Sequence, residues 1–126
     1  MVGRGSVFIV EDDPQLLGAL IAAFNQRGYF AWGCPWDEGA RVFLGGVRTD
    51  FLLVEVEGGD YGRMELVESC KKLSPGTRVI VESALADAEL KNRAMSCGVD
   101  AFLVKPFSLQ PLFELLERAP TPKLLQ

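Results

Sequence analysis

The sequence predicts an α/β fold in which five parallel strands form an open, doubly wound sheet with helices on both faces. Short, continuous apolar runs alternate along the chain with segments whose apolar residues recur every three or four positions. Continuous apolar runs of this length are typical of strands buried on both faces, as in a parallel sheet. Five such units are too few for an eight-stranded barrel, so we expect an open sheet.

The first strand, the first helix and the second strand are predicted at the start of the chain. The run SVFIV predicts a strand at 6–10, and large apolar residues spaced by three and four predict a helix over 14–27. Asp13 is typical of a helix N-cap and Gly28 of a helix end. The weaker run YFAWG predicts the second strand at 29–33.

The middle of the chain repeats this alternation. A short helix is predicted over 35–45, and FLLVEV predicts the third strand at 51–56. Helical spacing predicts a further helix over 60–73, which the segment SPGT at 74–77 ends because Pro and Gly interrupt helices. RVIVES then predicts the fourth strand at 78–83.

The last third of the chain predicts two helices around the fifth strand. A helix over 85–97 ends at Gly98, and AFLV at 101–104 predicts the strand. The final helix is expected over 108–118, with Ser108 as its N-cap. Right-handed crossovers between consecutive strands then place helices on both faces of the sheet.

The length and charge of the chain indicate one domain that does not itself bind nucleic acid. We assign residues 1–119 to the domain and residues 120–126, PTPKLLQ, to a C-terminal tail or the start of a linker. The net charge is −4 and no basic run is present, so the electrostatic signature of a nucleic-acid binder is missing.

The composition also restricts the chemistry that the domain can perform. The chain has no His, which removes the commonest general base and the Ser–His and Cys–His nucleophile pairs. Cys34, Cys70 and Cys97 show no CxxC spacing, so reduced thiols in a cytoplasmic protein are expected rather than a zinc site. No apolar run approaches the ~20 residues of a membrane span.

Polar side chains follow the predicted strands at the points where the strands end. They are Glu11, Asp12 and Asp13 after the first strand, Glu55 in the third, Ser83 in the fourth and Lys105 after the fifth. In an open parallel sheet, ligands bind at this edge. Clustered carboxylates favour a hard divalent cation such as Mg²⁺, while a Lys and a hydroxyl suit phosphoryl oxygens. The strand ends therefore predict a metal and phosphoryl site.

Four stretches carry a resemblance to the CheY-like receiver domains of bacterial two-component response regulators. They are VFIVEDDP, DFLLVEV, RVIVESALADAE and AMSCGVDAFLVKPFS, and together they extend the resemblance over residues 6–119. The resemblance implies a flavodoxin-like sheet of strand order 2-1-3-4-5. It also implies an Asp at the end of the third strand that accepts a phosphoryl group from a histidine kinase, with Mg²⁺ bound alongside.

The family's functional residues map onto this sequence one by one. Glu11 and Asp12 match the acidic pair, with Asp12 as the direct metal ligand, and the backbone carbonyl of Glu57 matches a further metal ligand. Ser83 matches the hydroxyl that binds a phosphoryl oxygen and takes part in switching. Lys105 matches the Lys that pairs with the phosphoryl group and the acceptor.

Two further features complete this mapping. Phe102 matches the aromatic switch residue, although it lacks the hydroxyl of a Tyr. The bond between Lys105 and Pro106 matches one that is usually cis in the family.

The acceptor position is where the sequence departs most from the family, because Glu55 stands in place of Asp. One extra methylene moves the carboxylate outward by roughly 1.5 Å. A displacement of about 1 Å can slow in-line transfer on the order of 100-fold, so we expect no phosphorylation of the usual kind. Two interpretations stay open. Glu55 mimics the active state by reaching Lys105 or Ser83, or it only fills the pocket and pairs with Lys105.

Two other departures concern the metal site and the fourth strand. The loop EGGDYG is shorter than usual and lacks Pro, which weakens the assignment of Glu57 and predicts weak Mg²⁺ affinity. Glu82 stands where an apolar residue is usual. Because burial of an unpaired carboxylate costs several kcal/mol, Glu82 is expected to reach solvent or a cation at the strand tip.

These features predict an atypical pseudo-receiver that is not an enzyme and acts through protein–protein contact. The expected contact face is built from residues 84–118 and would meet an output domain, a partner protein or a second copy of the chain. One alternative is a phosphorylation-competent receiver that uses Glu55 or Asp60 as acceptor. A second alternative is an unrelated flavodoxin-like module that binds a small ligand, although no GxGxxG or Walker loop is present.

Overall fold

The computed structural model describes residues 3–37, 39–41, 48–57, 60–84 and 86–118. The elements are β1 (Ser6–Val10), α1 (Pro14–Gln26), β2 (Phe30–Cys34), β3 (Phe51–Glu55), α2 (Tyr61–Leu73), β4 (Arg78–Ser83), α3 (Ala88–Ser96), β5 (Ala101–Val104) and α4 (Leu109–Glu117). Residues 39–41 are also helical, and residues 42–45 of that predicted helix lie outside the described residues. None of the described helices is long and apolar enough to cross a membrane.

The five strands form one parallel sheet in the order β2-β1-β3-β4-β5, which confirms the predicted topology. In register, Val10 lies opposite Val54, and Glu55 lies opposite Glu82. Ser83 lies opposite Val104, one residue before Lys105. The register therefore brings the polar residues at the strand ends to one edge of the sheet.

The sheet divides the core into two layers because successive strand residues point to opposite faces. On one face, Phe8, Val10, Leu52, Val54 and Val81 pack against residues of α2 and α3. On the other face, the alternate strand residues pack against α1 and α4; this layer includes Val7, Ile9, Leu53, Ile80, Leu20, Phe24, Leu112 and Phe113. All five residues of β3 are buried, as its continuous apolar run predicts. Burial of each large side chain contributes about 1.5–3 kcal/mol.

The residues predicted to cap or end the helices lie at the helix ends. Asp13 caps α1, where its carboxylate accepts a hydrogen bond of 2.9 Å from the amide of Gln15. Gly28 and Gly98 follow α1 and α3 with φ of +93° each, a conformation that Gly adopts readily. Ser108 is the N-cap of α4, as predicted, with an extended backbone, although its side chain makes no capping hydrogen bond.

Candidate functional site

The carboxyl edge of the sheet brings Lys105 between two acidic side chains. Its ammonium Nζ lies 2.7 Å from Oε1 of Glu11 and 2.7 Å from Oε1 of Glu55. The peptide bond between Lys105 and Pro106 is cis, as the resemblance implied. Burial alone would lower the pKa of Lys105, but the hydrogen bonds to Glu11 and Glu55 outweigh burial and raise that pKa. Lys105 is therefore a permanent cation at the centre of the site.

Glu55 meets Lys105 and the backbone of the acidic loop. One carboxylate oxygen accepts from Lys105, and the other accepts from the amide of Asp12 at 3.1 Å. Burial raises the pKa of Glu55, although the hydrogen bonds from Lys105 and Asp12 oppose this effect. The expected contact with Lys105 is confirmed. Ser83, the other contact that we expected for a Glu55 that mimics the active state, is bound instead by the carboxylate of Glu57.

Glu57 supplies the carboxylate that meets the end of β4. Its Oε2 accepts from the Ser83 hydroxyl at 3.2 Å, and its Oε1 accepts from the amide of Ala84 at 3.0 Å. The sequence had pointed to the backbone carbonyl of Glu57 as a metal ligand. In the structure this carbonyl accepts from the amide of Asp60 at 3.1 Å and forms part of a turn. The side-chain role was missed, because periodicity does not predict the direction of a loop side chain.

Glu82 lies inside the protein rather than at the solvent-exposed strand tip that we predicted. Its side chain is fully buried beside Glu11, which is also fully buried. With both groups ionised, neither oxygen of Glu82 has a hydrogen-bond donor, because a carboxylate only accepts. Burial, the hydrogen bond with Glu11 and its charge raise the pKa of Glu82 to about 9. Glu82 therefore carries a proton at neutral pH and donates it to Glu11.

Glu11 responds to this neighbour in the opposite direction. Burial would raise its pKa, but the hydrogen bonds from Glu82, Lys105 and the amide of Asp13 lower the pKa of Glu11 to about 2. The Asp13 amide lies 2.9 Å from Oε2 of Glu11. Glu11 is thus an ionised carboxylate that bridges a neutral acid and an ammonium group.

Asp12 projects toward the outer side of the same edge, where it meets Arg63. One carboxylate oxygen accepts from the backbone amide of Trp36 at 2.8 Å, and the other lies 2.5 Å from Nη2 of Arg63. Burial would raise the pKa of Asp12, but the hydrogen bonds from Trp36 and Arg63 hold it below its usual value. Sequence reasoning missed Arg63. A basic residue in the first turn of a helix is unfavourable for the helix dipole, and this was the available signal.

The residues that would hold a divalent cation do not fit one as they are arranged. Asp12 is bound on both oxygens, and Nη1 of Arg63 donates to the backbone carbonyl of Glu55 at 3.1 Å. The carbonyl of Glu57 already accepts from Asp60. Across the described part of the chain, no group of three or more Asp, Glu, His or Cys side chains is placed to hold a metal ion.

Asp60 and Phe102 complete the set of predicted site residues. Asp60 is the N-cap of α2, accepts from the amide of Arg63 at 3.1 Å and forms an ion pair with its Nε. Phe102 is partly buried and packs against the core layer beneath α2 and α3. Its role as a switch stays a prediction.

The fold and the strand-end residues together define a class of protein. An acidic pair after β1, a carboxylate at the end of β3, a hydroxyl at the end of β4 and a Lys before a cis-Pro after β5 are the parts of a receiver site. The chain belongs to the response regulator receiver domain family, whose family model matches residues 7–117.

Curated relatives of this chain include transcriptional regulators. The chain is 26% identical to the DNA-binding transcriptional regulator NtrC of Proteus hauseri over 118 residues, which is 94% of this chain and 25% of the relative. It is 30% identical to the transcriptional activator protein PfeR of Pseudomonas aeruginosa over 106 residues, which is 84% of this chain and 34% of the relative. The chain thus spans about a quarter to a third of these relatives.

Solved structures show the same fold. The non-phosphorylated HemR receiver domain from Leptospira biflexa matches with a TM-score of 0.79 at 21% identity, covering 92% of this chain and 97% of that chain. A response regulator from Burkholderia pseudomallei, solved with a phosphorylated aspartic acid, a calcium ion and citrate, matches with a TM-score of 0.78 at 21% identity. The match covers 89% of this chain and 66% of that chain.

Proposed function

We propose that this receiver domain works without phosphorylation and transmits a signal by binding a partner protein. One observation supports the proposal above all others: the chain's own carboxylates bind the groups that would bind a phosphoryl group. Glu55 binds Lys105, and Glu57 binds both the Ser83 hydroxyl and the Ala84 amide. An incoming phosphoryl group would have to displace two internal anions.

Glu55 is also poorly arranged as a nucleophile. Both of its oxygens are bound, one by Lys105 and one by the amide of Asp12. Its extra methylene changes the distance to any phosphoryl donor, and a misplacement of about 1 Å can cost on the order of 100-fold in rate. These contacts support a structural role for Glu55 in the pocket.

The two carboxylates support a mimic of the phosphorylated state better than a simple filler. A phosphoryl group brings a charge of about −1.5 to −2, and two ionised carboxylates together bring a comparable charge. Glu57 binds the Ser83 hydroxyl at the end of β4, and Glu55 binds the Lys105 ammonium. The pocket thereby keeps the contacts of an occupied site in the resting protein.

The proposed contact face is the one built from residues 84–118. Met95 and Val104 lie on it with exposed fractions of 46% and 38%, and Leu109 is 41% exposed. Exposed apolar side chains such as these are suited to a protein interface. We assign the role of partner to an output domain or a separate protein of a bacterial, cytoplasmic signalling pathway, or to a second copy of the chain. The length of the curated relatives supports an output domain.

Phosphorylation by a small donor tests the proposal directly. The full chain is incubated with acetyl phosphate and Mg²⁺ and followed by intact mass spectrometry, with peptide mapping of any adduct. We expect the wild type to remain unmodified. The triple variant Glu55→Asp, Glu57→Gln and Arg63→Gln restores the usual acceptor, removes one internal anion and frees Asp12 from Arg63, and we expect it to gain a measurable adduct.

The result that would overturn the proposal is a stoichiometric phosphoryl adduct on the wild type. An adduct at Glu55 or Asp60 would establish the alternative of a phosphorylation-competent receiver. The structure argues against Asp60 because this side chain caps α2 and pairs with Arg63. Membership of the receiver family sets aside the other alternative, an unrelated small-ligand module.

A further inference from the structure

Arg63 occupies the side of the acidic hollow where a cation is needed. It begins in the first turn of α2 and reaches back across the sheet edge to Asp12, 2.5 Å away. Its side chain is only 11% exposed, although Arg is rarely buried without partners. Its Nη1 donates to the carbonyl of Glu55, and its Nε lies 2.9 Å from Asp60 at an angle that does not suit a hydrogen bond.

Trp36 holds the guanidinium and Asp12 together. The centre of the Arg63 guanidinium lies 5.1 Å from the centroid of the Trp36 ring, within the range of a cation–π interaction. The backbone amide of Trp36 donates to the remaining oxygen of Asp12. Asp12 therefore has no carboxylate oxygen without a partner, and the planar guanidinium is fixed on one face by the indole ring.

We infer that Arg63 is the resident cation of this site and takes the place of a divalent metal ion. The guanidinium binds one carboxylate and one backbone carbonyl, which are oxygen ligands of the type that a hard cation would use. Its charge is permanent, because the pKa of Arg lies above about 12. A metal ion at Asp12 would compete with the Arg63 charge for the same carboxylate, and departure of Arg63 would break its hydrogen bonds and its contact with Trp36.

The inference concerns the cation and does not depend on whether Glu55 accepts a phosphoryl group. It predicts that removal of Arg63 creates a metal site from residues already present. Asp12 and the carbonyl of Glu55 would then be available on the open side of the hollow. A phosphoryl adduct on the wild type would overturn the proposed function, whereas a metal titration tests only the role of Arg63, so the two claims can be refuted independently.

The test is a titration of the ¹⁵N-labelled full chain with Mg²⁺ and with paramagnetic Mn²⁺. The amide signals of Asp12 and Trp36 report on the site. We expect no saturable change in the wild type up to about 10 mM, well above the roughly millimolar Kd of weak carboxylate sites. For Arg63→Gln we expect saturable broadening with an affinity at least about tenfold higher, as the loss of one charge-assisted competitor implies.

Two further variants make the result specific. Arg93→Gln removes a guanidinium that pairs with Glu68 at 2.9 Å, away from the hollow, and should behave as the wild type. Arg63→Lys keeps the charge but lacks the planar fork, so intermediate metal affinity is expected.

Either of two results would overturn the inference. If the wild type binds Mg²⁺ as tightly as Arg63→Gln, Arg63 does not compete with the ion. If a folded Arg63→Gln binds no metal, the hollow is not a cation site. If Arg63→Gln does not fold, Arg63→Lys takes its place in both comparisons, and the same two outcomes would overturn the inference.

Discussion

At the scale of single residues, the site is governed by where each carboxyl group finds its partner. Glu55 and Glu11 share the ammonium of Lys105, and Glu57 binds the end of β4. Glu82 has no cation of its own, so it is stable inside the protein only as a neutral acid that donates to Glu11. Each buried charge is thus compensated locally, as burial requires.

The proton on Glu82 predicts how stability depends on pH. The pKa of Glu82 rises from 4.5 to about 9 on folding, so its contribution is complete below pH 4.5 and is lost as pH rises toward 9. Glu11 acts in the opposite sense, because its pKa falls from 4.5 to about 2 and its contribution is lost only as pH falls below 4.5. Between pH 5 and 8, Glu82 therefore lowers the free energy of unfolding by at most about 1.4 kcal/mol per pH unit, and Glu55, whose pKa is also raised, acts in the same direction as pH rises above 4.5.

Glu82→Gln isolates this effect, because an amide can donate to Glu11 but cannot titrate. We expect the variant to unfold at a higher urea concentration than the wild type at pH 8 and to show a smaller difference at pH 5. Glu65→Gln changes an exposed Glu on α2 and serves as the matched control. Parallel pH profiles for the wild type and Glu82→Gln would show that Glu82 is ionised in the folded protein.

At the scale of secondary-structure elements, β2 approaches β1 so closely that one position excludes any side chain. A Cβ at Gly33 would lie 2.1 Å from the carbonyl oxygen of Ile9, below any real contact distance. Position 33 therefore requires glycine because of the close packing of β2 on β1, and not because of its backbone angles. Gly18, within α1, has no neighbouring atom within 4 Å of an added Cβ.

Two Gly→Ala substitutions are predicted to change the free energy of unfolding in opposite directions. Gly33→Ala should destabilise the protein by roughly 1–3 kcal/mol, because the added methyl forces the strands apart. Gly18→Ala should stabilise it by about 0.5–1 kcal/mol through helix propensity. Urea unfolding measures both. Equal effects of the two substitutions would mean that β2 does not pack against β1 at this distance.

The elements were largely predictable from sequence, and the site was predictable only in part. The run in β3 and the caps Asp13 and Gly28 are local signals, so the strand and the helix boundaries followed from them. Arg63 and the side chain of Glu57 act across the sheet edge, and no local pattern reports such contacts. Glu82 was misplaced because alternation gives the face of the strand but not what covers that face.

At the scale of the whole molecule, we propose that a receiver fold fills its own ligand site. Glu55 binds Lys105, Glu57 binds Ser83, and Arg63 binds Asp12. The Glu57 contact reaches Ser83 and Ala84, directly before the proposed contact face of residues 84–118. Our proposal therefore implies that the conformation of that face is set by side chains that are always present, rather than by a reversible modification.

The most direct test of this account is a titration of the wild type with beryllofluoride and Mg²⁺, followed through the backbone amide signal of Ala84. This amide donates to Glu57, so any anion that takes the place of Glu57 must shift its signal. We predict no saturable shift in the wild type and a saturable shift in the triple variant Glu55→Asp, Glu57→Gln and Arg63→Gln. A saturable shift of Ala84 in the wild type would contradict the claim that the protein's own carboxylates fill the site.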